Sequence, residues 1–149
     1  MISPMGMLVR LSTLLLLLVP SMAAALSPWM VFFDQGSARI HTQFNVTLDH
    51  VAAWHRNTDI RMFRVTGFTD TSGPTEANMR LALQRAEAVK AAMVDRGIPR
   101  GVIQAEAKGE ATDRLLVETG DGVAHRENRR VEIIAERMCR PPPENVPVC

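Results

Sequence analysis

The chain has 149 residues, of which 46% are hydrophobic and 22% charged, and its 17 Lys and Arg nearly balance its 16 Asp and Glu. This length favours one compact domain, and the apolar content excludes general disorder. A formal net charge of +1 without a basic cluster excludes the phosphate-binding surface of a nucleic-acid binder, so no nucleic-acid partner is expected.

The first 25 residues have the pattern of a secretory signal peptide. A single charge, Arg10, precedes an apolar run at 11–19, which is followed by Pro20 and three alanines at 23–25. Cleavage after Ala25 would remove that one charge and leave a neutral chain. The run is shorter than the roughly 20 residues of a spanning helix, although an uncleaved membrane anchor is the alternative. With no Cys near the cut, we expect no lipid anchor. We also expect no outer-membrane barrel in this chain.

The two cysteines and four histidines give little indication of a metal site. Cys139 and Cys149 lie in a Pro-rich tail at 139–149, and in an exported protein they are candidates for a disulfide. The histidines are scattered without ligand spacing, at His41, His50, His55 and His125. We therefore expect no metal and no cofactor.

Hydrophobic patterning predicts four strands, at 29–34, 61–67, 102–108 and 130–136, and two helices, at 46–56 and 74–96. Asn45 or Thr47 is available to cap the first helix. Pro74 and Gly97 flank the second, as is typical of helix ends. The segment 109–128 reads as a long loop with room for a turn of helix. The order β-α-β-α-β-loop-β indicates an α/β sandwich whose mixed four-stranded sheet is covered by helices.

Polar residues follow two of these strands and interrupt one helix face. Asp34 and Asp70 lie in the loops after the first two strands, and strand ends are where open α/β sheets bind ligands. Asn78 and Arg85 share a helical stripe otherwise made of Ala and Val. Residue types alone also permit a purely structural interpretation, in which Asn78 caps a turn and Arg85 reaches a carboxylate such as Asp70.

Three ordered motifs resemble the OmpA-like peptidoglycan-associating domain family. Residues 67–70 (Gly-Phe-Thr-Asp) match its G-x-T-D, residues 78–89 match N-x-x-L-S-x-x-R-A-x-x-V, and residues 128–133 match N-R-R-V-E-I. Looser matches occur at 31–38 and 108–110. Ala82 replaces the usual Ser, and Phe68 stands where His or Tyr is common. The resemblance covers about residues 30–136, within a predicted domain at 26–138, and implies an OmpA-like fold.

The resemblance further implies a non-catalytic clamp for the diaminopimelate residue of the peptidoglycan stem peptide. Carried over by position, Asp70 and Arg85 are the principal ligands, Asn78 shapes the loop and Arg129 lies near the site. Backbone N–H groups of the loop that begins at Thr69 would assist with the ligand carboxylate. This set suits a zwitterion, because an ammonium needs an acceptor and a carboxylate needs a forked cation.

Two neighbouring assignments stay open. Asp34 either contacts the ligand or caps the turn after its strand. Arg130 begins the last strand, where alternation directs it away from Arg129 and where it could face solvent.

We expect binding without catalysis. No nucleophile–base motif or phosphate loop occurs, and only Asp34 and Asp70 could form a hydrolytic pair. The expected location is the periplasm of a Gram-negative bacterium, in association with the wall. Attachment to a membrane through an uncleaved signal segment, or association with the outer membrane, is the alternative.

The rival function is an envelope protein–protein adaptor that uses the same fold, with the Pro-rich tail as a possible contact segment. Substitution of Asp70 or Arg85 distinguishes wall binding from the adaptor function. A wall binder should lose sedimentation with the wall, whereas an adaptor would tolerate the substitution.

Overall fold

The computed structural model describes residues 28–58 and 62–136. Its elements are β1 (Trp29–Phe32), α1 (Asn45–Asn57), β2 (Met62–Phe68), α2 (Thr75–Val94), β3 (Ile103–Gly109) and β4 (Arg130–Glu136). The predicted α/β fold with one mixed four-stranded sheet is confirmed. The predicted signal peptide, the tail and its two cysteines lie outside the described residues and stay predictions.

The sheet has the strand order β1-β4-β2-β3. β4 is antiparallel to both of its neighbours, whereas β2 and β3 are parallel and are joined by the crossover helix α2. The carboxyl ends of β1, β2 and β3 therefore meet the beginning of β4 at one end of the sheet. The loops at this end come from four different parts of the chain.

A single hydrophobic core fills the space between the sheet and the helices. It combines buried residues of all four strands with one face of each helix, and it includes Val31, Leu48, Val51, Phe63, Val65, Ala86, Val89, Met93, Ile103 and Ile133. Neither helix is both long and apolar enough to cross a membrane, within the part of the chain described here.

The helix ends differ in part from the prediction. Asn45 and Thr47 do not cap α1: a 3-10 turn at Thr42–Phe44 leads into the helix, and the backbone N–H of Asn45 donates to the carbonyl of Thr42. The predicted side-chain cap is therefore wrong: the helix begins after Phe44, whose side chain cannot cap, and Asn45 Oδ1 accepts from Arg96 Nη2 at 2.9 Å instead. α2 begins directly after Pro74, and Gly97 follows its end with φ +91°.

The face of β4 opposite the core is polar and yet buried. Arg130 is 1% exposed, so the expectation that it faces solvent is wrong. Its Nε donates to Glu132 at 2.8 Å, and its guanidinium lies 4.2 Å from the centre of the Phe68 ring. Arg114, from the loop at 110–129, donates to the same carboxylate at 3.2 Å. The loop covers this face, which no strand pattern could indicate.

Two polar side chains hold the 110–129 loop in place. Asn128 exchanges a pair of hydrogen bonds with the backbone of Val117, at 3.0 and 2.8 Å. Thr71 donates its hydroxyl to the carbonyl of Gly120 at 2.7 Å, and its own carbonyl accepts from the N–H of Gly122 at 3.0 Å. The loop is thus joined to the segment that follows β2, next to Asp70.

Gly67 allows β2 and α2 to approach closely. A Cβ at this position would lie 2.7 Å from the carbonyl carbon of Ala82 and closer still to its oxygen. Backbone atoms in the middle of a helix cannot yield to such a contact without moving the helix. The glycine of the G-x-T-D motif is therefore required for close packing of β2 against α2.

We expect Gly67→Ala to lower the free energy of unfolding by about 2–3 kcal/mol, as overpacking of a close contact does. Gly101→Ala is the matched control, since a Cβ at that position would meet nothing within 4 Å and its φ is ordinary, and it should change stability by less than about 0.5 kcal/mol. Urea denaturation measures both, and equal stability of the two variants would contradict the packing role.

Candidate functional site

A pocket of about 280 Å³ opens at the end of the sheet where β2 stops and β4 begins. The first turns of α2 and the turn after β1 complete its walls. Five of the six predicted site residues line it, namely Thr69, Asp70, Asn78, Arg85 and Arg129. They come from the loop after β2, from α2 and from the entrance to β4, so the fold brings together residues that are far apart in the chain.

Asp70 is held by four hydrogen bonds inside the protein. Oδ1 accepts from the backbone N–H and hydroxyl of Ser72, and Oδ2 accepts from Arg129 Nη1 at 2.9 Å and from the N–H of His125 at 3.2 Å. The residue is only 3% exposed. Its two oxygens have about four acceptor positions, so these four hydrogen bonds fix the orientation of the carboxylate.

These contacts also set the protonation state of Asp70. Burial alone would raise its pKa, but the hydrogen bonds from Ser72 and Arg129, with the positive charge of Arg129, outweigh it and hold the pKa below the ordinary 3.8. Asp70 is therefore a carboxylate at neutral pH.

Arg85 lines the pocket and is fully buried. Its Nε, Nη1 and Nη2 donate to the backbone carbonyls of Ser37, Phe68 and Asp34 at 2.8, 3.1 and 2.9 Å. Asp70 does not bond to it, and the carboxylate pairs with Arg129 instead. The structural interpretation, in which Arg85 pairs with Asp70, is therefore wrong. The guanidinium lies among three backbone carbonyls and donates to them instead.

The charge on Arg85 persists despite its burial. Desolvation lowers the pKa of Arg85 to about 10, attraction to Asp70 opposes this shift, and repulsion from Arg129 adds to it. The group is cationic at neutral pH. Its three bonds use three of five N–H groups, which leaves two without a partner among the described residues.

Asn78 organises the loop after β2 from the first turn of α2. Its amide nitrogen donates to the carbonyl of Ser72 at 3.0 Å and to Glu110 Oε2 at 2.8 Å. Glu110 also accepts from the hydroxyl of Thr75, so it bridges the end of β3 and the start of α2. A carboxylate at a helix N-terminus is favoured by the helix dipole.

Thr69 is unusual among the residues that line the pocket. Its side chain is 2% exposed, and its hydroxyl has no hydrogen-bond partner among the described residues. A buried polar group without a partner costs about 1–3 kcal/mol. The expected nest of free loop N–H groups is reduced, because Thr69 N–H donates to the Gly109 carbonyl and Ser72 N–H to Asp70.

Asp34 stands outside this pocket. Its side chain is exposed and pairs with His41 at 2.8 Å, and it lines a separate cavity beside Phe32 and Phe44. Its carbonyl accepts from the N–H of Ser37, closing the turn after β1. The Asp34 side chain thus lies outside the pocket and does not cap the turn, which the backbone carbonyl closes instead. Elsewhere too, no group of three or more His, Cys, Asp or Glu in residues 28–58 and 62–136 is placed to hold a metal ion.

The model of the OmpA family matches residues 32–129 of this sequence, a range that contains every residue of the pocket. The chain belongs to the OmpA family. Outer membrane protein A of Bordetella avium is 36% identical over 102 residues, which are 68% of this chain and 52% of that protein. The probable lipoprotein YiaD of Escherichia coli K12 is 35% identical over 106 residues, which are 71% and 48% of the respective chains. The chain thus spans about half the length of these relatives.

Solved structures of OmpA-like domains share the fold. The peptidoglycan-associated lipoprotein from Burkholderia pseudomallei superposes with a TM-score of 0.65 at 26% identity, over 72% of this chain and 89% of that one. The C-terminal domain of Helicobacter pylori MotB gives 0.62 at 20% identity, over 74% and 86%, and at that identity it shows the fold alone.

Three contributors to this OmpA-family site escaped the sequence analysis. Glu110 lies within the loose match at 108–110, so its position was visible while its role was not. Ser72 and His125 act on Asp70 partly or wholly through backbone N–H groups, which leave no trace in residue type.

Replacement of Arg85 should destabilise the domain. Arg85→Lys removes the fork, so at least one or two buried carbonyls lose their donor, and we expect a loss of about 2–4 kcal/mol in the free energy of unfolding. Arg80→Lys, on the exposed side of the same helix, is the control and should stay within about 0.5 kcal/mol of wild type. Thermal unfolding of the two variants compares them, and a silent Arg85→Lys would show that the carbonyls do not need the fork.

Ionised Asp70 should make the free energy of unfolding depend on pH in the acidic range. Because its pKa is lower folded than unfolded, the unfolded state takes up the proton first, and the stabilisation present at neutral pH is lost as the pH falls from about 5 through the folded pKa. Asp70→Asn should therefore be less stable than wild type at pH 7, with a gap that narrows at low pH. Urea midpoints across pH 2–7 measure it, and a gap that stays constant would contradict the assignment.

Proposed function

We propose that this protein binds peptidoglycan without catalysis, by accepting the zwitterionic end of diaminopimelate in the pocket between α2 and the start of β4. One carboxylate and two guanidinium groups line that small pocket, and this observation carries the proposal. Two relatives support it by name: the structure from Burkholderia pseudomallei, and the peptidoglycan-associated lipoprotein of Rhizobium meliloti, which is 33% identical over 69 residues.

The charges of the pocket suit a ligand that carries both signs. The lining carries a net charge of +1, from Arg85 and Arg129 on one side and Asp70 on the other, and this charge attracts a carboxylate. The ligand ammonium would donate a hydrogen bond to Asp70 and replace one of the donors that now bond to this carboxylate. The two N–H groups of Arg85 that have no partner among the described residues would donate to the ligand carboxylate, as a forked cation does.

Thr69 and Asn78 complete the proposed site. The Thr69 hydroxyl lacks a partner among the described residues, so a polar ligand that entered the pocket would satisfy a group that is now unsatisfied. Asn78 would act indirectly, by holding the Ser72 carbonyl and with it the loop that carries Asp70.

Two features favour binding over hydrolysis. A carboxylate whose pKa lies below its ordinary value is a poor proton donor at neutral pH, which is the state of Asp70. The other acid of the possible hydrolytic pair, Asp34, lines a different cavity. Export of the chain to the periplasm would bring the pocket to the wall, where many copies of the ligand raise the avidity of a weak single site.

The proposal is tested by sedimentation of the exported protein with insoluble peptidoglycan. Wild type should pellet with diaminopimelate-type walls, soluble diaminopimelate should compete, and Lys-type walls should pellet much less, because lysine lacks the second carboxylate. Asp70→Asn should lower the apparent affinity for the wall at least about tenfold, and the pelleted fraction should fall accordingly. A loss of this size is expected when the charged partner of a buried ion is removed.

Asp34→Asn is the matched control, since it neutralises a nearby acid outside the pocket and should pellet as wild type does. Each variant is first shown by circular dichroism to be folded. A wild type that stays soluble would reject wall binding and favour the adaptor. Equal pelleting with Lys-type walls, or by Asp70→Asn, would reject the zwitterion site while leaving wall binding intact.

A further inference from the structure

An aromatic cleft lies at the end of the domain opposite the ligand pocket. Both tryptophans of the chain, Trp29 of β1 and Trp54 of α1, meet there edge to face with ring centres 5.8 Å apart. The cleft has a volume of about 460 Å³, is mostly apolar, and extends past His50 to Asn57 at the end of α1. Trp54 is 36% exposed, which leaves one of the largest apolar side chains in contact with water.

The strand register places the exit of the chain beside this cleft. Trp29 pairs with Ile133 of β4, and Glu136, the last residue of β4, pairs with Met62. Glu136 is thus three residues beyond the partner of Trp29, or roughly 10 Å along the strand. Thirteen residues follow it, at 137–149.

The composition of those thirteen residues matches the cleft. Prolines occur at 141–143 and 147, in the sequence Pro-Pro-Pro-Glu-Asn-Val-Pro-Val. Pro-rich segments bind grooves lined by aromatic side chains, because their preferred conformation is already extended and little entropy is lost. The first of these prolines is five residues beyond Glu136, a reach of up to roughly 16 Å, so the span to the cleft is covered.

We propose that the Pro-rich tail of this chain, residues 141–147, occupies the cleft formed by Trp29 and Trp54. The tail would cover the exposed face of Trp54 and extend the apolar contact between α1 and β1. It would not compete with a ligand, since the pocket at Asp70 lies at the other end of the sheet. This inference is independent of what that pocket binds.

Tryptophan fluorescence reports on this cleft alone, because the chain has two tryptophans, both in the cleft, and no tyrosine. In the exported protein, Pro141, Pro142 and Pro143 are replaced together by Ser, which keeps the length of the tail. Relative to wild type, the emission maximum should shift to longer wavelength, and quenching by acrylamide should increase. Circular dichroism checks that the domain is folded.

Pro74→Ser is the matched control, since Pro74 is an exposed proline at the ligand end of the domain, and it should leave emission and quenching unchanged. Identical emission and quenching of the triple variant and wild type would overturn the proposal. So would a blue shift of equal size in both proteins on addition of phosphatidylethanolamine–phosphatidylglycerol vesicles, because the cleft would then be free for a membrane surface.

Discussion

Arg85 is a cationic side chain without exposed surface, and three backbone carbonyls from two separate segments converge on its guanidinium. Burial of a charge is costly unless hydrogen bonds and a counter-ion compensate, and the carbonyls and the nearby Asp70 supply both. The same bonds fix the end of β1, through Asp34 and Ser37, and the end of β2, through Phe68, against α2. The pocket proposed to bind peptidoglycan is formed between these segments, so its shape depends on a cation that also holds the fold together.

Two adjacent arginines at the start of β4 serve different parts of the molecule. Arg129 precedes the strand and pairs with Asp70 at the pocket, while Arg130 lies behind the sheet with Glu132 and Phe68. Successive side chains of an extended chain point in opposite directions, which is how one dipeptide contributes to both clusters. Phe68 links the two, because its ring packs on Arg130 and its carbonyl accepts from Arg85.

The two ends of the domain carry clefts of different chemistry. The pocket proposed to bind peptidoglycan lies where β1, β2 and β3 end, and the tryptophan cleft lies where β4 ends and β1 begins. A ligand held at the first end would not block the second. The buried ion pair of Asp70 and Arg129 orients the acceptor in advance, which reduces the ordering that a ligand would otherwise have to impose.

Local pattern was sufficient for the elements of this protein: apolar periodicity and turn residues placed both helices and all four strands within a few residues, and short motifs located Asp70, Arg85 and Arg129. The pairing of these groups needed the tertiary structure. Asp70 bonds to Arg129, 59 positions away, rather than to Arg85, and Arg130 is buried by a loop that has no periodic signal. Secondary structure follows from the side-chain periodicity of strands and helices, which spans only two to four residues along the chain. The partner of a buried charge is decided by which groups lie close together once distant segments have packed.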